Sequence, residues 1–146
     1  MSFNLSHAHE LVLYAIAGGR ATGVDIEYMR TDLADMAIAE QFFSPCEVAT
    51  LHALPTEARC TAFFNCWTRK EAYIKARGEG LSLPLNQFDV SLAPNASIEL
   101  LDVAGDQQER SRWTLQSLDP GPNYVAALAA EGQGWISRCW QWPSAE

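Results

Sequence analysis

The chain has 146 residues, 48% of them hydrophobic, and a formal net charge of -8 at pH 7. That length supports one hydrophobic core and a single domain over 1–146, and the acidity excludes general nucleic-acid binding, which draws on many lysine and arginine contacts to phosphates. No apolar run approaches the roughly 20 residues that cross a bilayer, and no basic-then-apolar leader is evident, so no membrane association is expected and the expected location is the cytoplasm.

In chain order, Leu11 to Ala17 is a near-continuous apolar run ended by Gly18 and Gly19. Such a run predicts a strand buried on both faces. Val24 to Tyr28 is the next predicted strand, pairing antiparallel with the first across a short glycine-containing connection. Helical periodicity begins near Asp32. Ser44-Pro45-Cys46-Glu47 has the form of a helix start: serine as N-cap, proline at the first helical position and glutamate closing a capping box. That helix runs to about Leu54, and Pro55 stops it. Thr56 is placed to cap a longer helix reaching about Arg77, which Gly78 and Gly80 end.

On the long helix Cys60, Phe63, Phe64, Trp67, Glu71 and Ile74 recur at i+3 and i+4 steps, so a core stripe passes through an acid. An ordered apolar loop, Leu81 to Leu85, follows. Further strands are predicted near Ile98–Val103, Trp113–Leu118, Tyr124–Ala129 and Trp135–Trp140. The fold class is α+β, an antiparallel sheet packed against helices. Cys46, Cys60, Cys66 and Cys139 show neither metal-ligand spacing nor the density of a secreted scaffold, and are expected as reduced, mostly buried thiols.

Asp25 and Glu27 lie two residues apart, which on a strand puts both carboxylates on one face, with Cα atoms about 6.5 to 7 Å apart, while Val24 and Ile26 enter the core. A hard divalent cation relieves the repulsion of such a pair, and oxygen-only ligands favour magnesium. If Glu71 packs against that strand, three carboxylates converge; read separately, an Asp-x-Glu also fits a solvated sheet face, and Glu71 also fits a helix-surface pair with Lys75. The only two lysines, Lys70 and Lys75, flank Glu71 with Arg69 and Arg77 close by, so positive charge is concentrated in one stretch. Ser6 and His7 fit either a structural role at a strand start or hydrogen bonds to phosphate oxygens.

Four segments together resemble the Sfp-type 4'-phosphopantetheinyl transferases: Phe3-Asn4-Leu5-Ser6-His7, Gly23-Val24-Asp25-Ile26-Glu27, Trp67-Thr68-Arg69-Lys70-Glu71-Ala72-Tyr73-Ile74-Lys75, and Gly78 to Leu85 with Phe88. The resemblance implies a holo-[acyl-carrier-protein] synthase type of enzyme. It would move 4'-phosphopantetheine from coenzyme A to a serine of an acyl or peptidyl carrier protein and release 3',5'-ADP.

By the same resemblance Asp25, Glu27 and Glu71 would hold Mg2+, Ser6 and His7 would contact coenzyme A phosphates, and Lys70 and Lys75 would neutralise the diphosphate. Glu71, directly or through a metal-held water, would act as base and Lys75 as acid. The resemblance covers the second half of a pseudo-dimer. On that resemblance either two copies associate as a homodimer and rebuild the cleft, or the chain is a fragment with impaired activity; the alternative function is a non-catalytic module that binds coenzyme A or carrier protein.

Overall fold

The computed structural model describes residues 1–32, 35–78 and 83–142. The chain opens with an antiparallel hairpin, β1 (Ser2–Ala8) and β2 (Leu11–Ala17), in register from Ser2 opposite Ala17 to Ala8 opposite Leu11. His9 takes the left-handed conformation of its tight turn, with φ 55°, and its ring stacks on Tyr28 at 4.2 Å. The expected pairing of Leu11–Ala17 with Val24–Tyr28 is therefore corrected, because the nearer partner of β2 is the strand before it. The expected burial on both faces is corrected as well: Val12, Tyr14 and Ile16 project outward beside Phe3 and Leu5, leaving one apolar hairpin face exposed.

β3 (Thr22–Tyr28) joins a second sheet in the order β3-β7-β6, with β6 Trp113–Leu118 and β7 Tyr124–Glu131, all antiparallel. β3 is an edge strand of this sheet, and an unpaired edge leaves backbone N–H groups to be satisfied. Two of them are met by side chains of β1: Asn4 Oδ1 accepts from Val24 N at 2.9 Å and Ser6 Oγ accepts from Ile26 N at 3.1 Å. The hairpin is fastened to the edge of β3 by these side chains.

Asp35 caps the short α1 (Met36–Phe42), and Ser44 with Glu47 forms the full capping box of α2 (Pro45–Ala53). α3 (Thr56–Arg77) follows, where Thr56 is the first helical residue rather than a cap and the preceding Pro55 makes no side-chain cap bond. The helix ends as expected at Gly78 with φ 71°, a conformation open to glycine without cost. Gly80, and Leu81 and Ser82 of the predicted loop, lie outside the described residues.

α3 lies across the sheet. Its Tyr73 is wholly buried, edge-on to Trp113 with ring centres 5.7 Å apart and tilted against Phe88 at 5.0 Å. Burial of a side chain that size is worth about 2 to 3 kcal/mol, and its hydroxyl donates to Glu109 Oε1 at 2.7 Å. A small β4-β5 ribbon (Phe88–Val90 and Leu100–Val103) and the short α4 (Gln107–Arg112) close this end of the core.

The observed class is α+β with antiparallel sheets, as the sequence predicts. Trp135–Trp140 is not a strand, because no neighbouring strand edge pairs with it; Ile136 and Trp140 are largely exposed. All four cysteines are free, but only Cys66 is buried; Cys60 is partly covered and Cys46 and Cys139 are exposed. No helix among the described residues is long and apolar enough to cross a membrane.

Candidate functional site

The site begins with a glycine. A Cβ at Gly23 would lie 2.3 Å from the carbonyl oxygen of Ala72 and 2.4 Å from the backbone nitrogen of Ala76, so β3 and α3 approach more closely there than any side chain permits. Alternation along β3 turns Gly23, Asp25 and Glu27 toward the helix, and Val24 and Ile26 the other way, where neither retains any exposure. The close approach brings Lys75 to Asp25, with Nζ 3.4 Å from Oδ1. Lys75 also donates to the carbonyl of Val24 at 3.0 Å. Lys75 therefore pairs with Asp25, which displaces the alternative of a surface pair between Glu71 and Lys75.

Asp25 is only 4% exposed. Its Oδ1 accepts from Ser6 at 3.2 Å and faces Lys75, whereas its Oδ2 is buried with no hydrogen-bond partner. Burial first, and the neighbouring Glu27 carboxylate second, push the Asp25 carboxyl up to about 7 against the pull of Lys75. Glu27 is also raised, chiefly by burial and by the charge of Glu71, with the adjacent Asp25 carboxyl and Lys75 acting in opposition. Glu71 is raised by burial and then by Asp25. The three acids thus sense one another. Among the described residues no three histidine, cysteine, aspartate or glutamate side chains converge as a preformed metal cage.

The donor set still fits a hard cation. It is all oxygen, one oxygen is buried without a partner, and each of the three carboxyls is raised by desolvation that a cation would offset.

Ser6 and His7 part company. The hydroxyl of Ser6 is buried, accepting from Ile26 N and giving its one proton to Asp25. His7, the next residue on the strand, points to the opposite, exposed face that also presents Phe3 and Leu5. Lys70 does not join the acids at all, and the expectation that it neutralises a diphosphate is corrected. It has no exposed surface; its ammonium lies 2.7 Å from Glu47 Oε1, donates to the Phe88 carbonyl and stands 4.0 Å over the Phe88 ring. Adjacent helical positions point about 100° apart, so Lys70 and Glu71 serve different faces of α3.

Sequence reasoning missed this partner of Lys70. Ser44-Pro45-Cys46-Glu47 reads as a helix start, and Glu47 does accept from Ser44 N at 2.9 Å, but its other oxygen accepts from Val90 N at 2.7 Å and from Lys70 at 2.8 Å. The available signal was the helical period, which turns Lys70 about 100° away from Glu71 and so toward a different neighbour.

Comparison with known proteins bears on the same residues. The 4'-phosphopantetheinyl transferase superfamily matches residues 21–129, a stretch holding Asp25, Glu27, Glu71 and Lys75. The chain is 38% identical over 140 residues to the 4'-phosphopantetheinyl transferase HetI of Nostoc sp., covering 96% of this chain and 56% of that protein. It is 35% identical over 130 residues to the 4'-phosphopantetheinyl transferase Sfp of Bacillus subtilis, covering 88% and 54%. The chain thus spans about half the length of these curated relatives.

Its fold is shared with the apo-ACPS structure from Chronobacterium ammoniagenes, at a TM-score of 0.56 and 22% identity, over 77% of this chain and 95% of that one. The ACPS-CoA complex from the same organism aligns with a TM-score of 0.55 at 20% identity, over 80% and 100%. With the acids and Lys75 inside the matched stretch, the chain belongs to the 4'-phosphopantetheinyl transferase superfamily.

Proposed function

We propose that the chain transfers 4'-phosphopantetheine from coenzyme A to a serine of an acyl or peptidyl carrier protein, releasing 3',5'-ADP. The observation that carries this reading is the buried, unpartnered Oδ2 of Asp25 in a set of three carboxyls each raised by burial, with Lys75 alongside. The transferase names of the relatives support it, as does the coenzyme A complex formed by one structural neighbour. Asp25, Glu27 and Glu71 would hold Mg2+, which when bound supplies positive charge to the diphosphate.

The remaining work falls to the chain's own side chains. Glu71, a carboxylate raised by burial, accepts the proton of the carrier serine as the serine oxygen bonds to phosphorus. The bond from that phosphorus to the oxygen of 3',5'-ADP breaks, and Lys75, whose side chain is 29% exposed, meets the charge left on that oxygen and can return a proton to it. Ser6 serves the site through Asp25, which it orients. His7 reaches out from the exposed hairpin face, beside Phe3, Leu5, Tyr14 and Ile16. A second copy covering this apolar face would close a cleft in which His7 meets a coenzyme A phosphate. Three free cysteines with some exposure suit a reducing cytoplasm.

The test incubates the chain with coenzyme A, Mg2+ and an apo-carrier protein and follows the carrier by intact-protein mass spectrometry. A mass gain of one phosphopantetheine arm, lost on chelation of the metal, is expected. No gain at high concentrations of a chain that melts cooperatively would refute the activity. Sedimentation with and without coenzyme A reads whether two copies assemble.

A further inference from the structure

The sequence stretch that supplies Glu71 and Lys75 also supplies Lys70, whose surroundings match no role at a phosphate. Lys70 and Glu47 are 0% and 1% exposed, and all the charge they bury is matched locally. Glu47 accepts from Ser44 N at the start of α2, from Val90 N in β4 and from Lys70 on α3; Lys70 adds the Phe88 carbonyl and the Phe88 ring. One carboxylate and one ammonium therefore tie together three elements distant in sequence. They do so one residue before Glu71 and five before Lys75.

A buried ion pair adds little net stability over a well-packed apolar pair, but it admits one geometry, since either charge alone is strongly disfavoured. On a helix, constraining one side chain constrains the rotation of those that follow. We propose that Lys70 and Glu47 are positioning residues: their pair sets the rotation of α3 so that Glu71 and Lys75 face Asp25 and Glu27, and Lys70 touches no phosphate. The inference rests on the transferase reading for its consequence, but its geometry is testable without ligand.

Four forms of the full chain are compared: the parent, Lys70→Met, Glu47→Gln, and Glu47→Gln with Lys70→Met. Each is followed by thermal melting, by amide hydrogen exchange along α3 and by calorimetry with coenzyme A and Mg2+. Either single change should speed exchange at 71–76 more than at 62–67 of the same helix, a contrast that uniform loss of stability does not produce. Each should also weaken coenzyme A binding by about tenfold or more, and the double variant should recover most of both losses because the two sites are directly coupled. If Lys70→Met fails to fold, Glu47→Gln, which keeps its hydrogen-bonding shape, still reads the contrast.

A double variant with restored exchange but coenzyme A affinity as weak as in Lys70→Met would make Lys70 a phosphate ligand and overturn the proposal. Uniform exchange along α3 in the single variants would overturn it as well. If the parent binds no coenzyme A, the transferase reading falls, while the exchange contrast still decides whether the pair sets the helix.

Discussion

Replacing Asp25 with asparagine should make the metal-free chain more stable at alkaline pH while removing its response to magnesium. The Asp25 carboxyl is raised from 3.8 to about 7, mainly by burial, so the folded chain holds this proton more tightly than the unfolded chain does. A group raised in this way stabilises the fold fully below about pH 4, and that contribution is lost as pH climbs through about 7. At roughly 1.4 kcal/mol per pH unit over about three units, ionised Asp25 costs the fold about 4 kcal/mol at pH 8. This is a net figure in which the opposing pull of Lys75 is already included.

Asparagine cannot ionise, and its side-chain oxygen can still accept from Ser6. In chelator at pH 8, Asp25→Asn should therefore be more stable by up to about 4 kcal/mol, on the order of 10 °C in melting temperature for a chain of this size. The difference should narrow from pH 7 downward and vanish near pH 4. Adding Mg2+ at pH 8 should raise the parent according to its occupancy and leave the variant unmoved. Urea titrations across pH 4 to 8, with and without Mg2+, read both effects. A variant less stable than the parent at pH 8 in chelator, or equal stabilisation of both by Mg2+, would refute the reasoning.

Gly23→Ala should cost about 3 kcal/mol or more in urea denaturation, because its Cβ would meet backbone atoms of Ala72 and Ala76 that no rotamer change can move. Ser6→Ala strands the buried N–H of Ile26 and removes a donor from Asp25; a loss of about 1 to 3 kcal/mol is expected, and a change below about 0.5 kcal/mol would contradict the role drawn for it. Glu71→Gln should slow transfer to a carrier protein by about 100-fold or more, while melting at pH 8 is unchanged or higher, since a carboxyl raised by burial is replaced by a neutral group. Tyr14→Lys with Ile16→Lys, at positions 64% and 71% exposed, should leave the fold intact and abolish self-association seen by sedimentation.

Much of the fold was legible because its signals are local. The capping box at Ser44, the stop at Pro55, the left-handed Gly78 and the period-two placement of Asp25 and Glu27 depend on neighbours within a few residues. The errors concern partners. An apolar run such as Leu11–Ala17 states that a strand is apolar, not which strand pairs with it or which face stays open, and the Trp135–Trp140 pattern likewise does not state whether a neighbouring edge will pair with it. Burial of cysteines failed for a similar reason: a small apolar side chain such as Cys139 tolerates a core but does not require one.

The site divides along the same line. The residue order by itself determined that Asp25 and Glu27 share a face and that Glu71 and Lys75 lie one helical turn apart, because strand and helix periods are properties of the backbone. Only the tertiary structure decided that β3 meets α3 at Gly23, that the ammonium beside Asp25 belongs to Lys75, and that Lys70 is bound up with Glu47. Two lysines five residues apart are nearly equivalent as sequence. They differ in what packs against each side of the helix, and the desolvation of a charge depends on those surroundings, not on its neighbours along the chain.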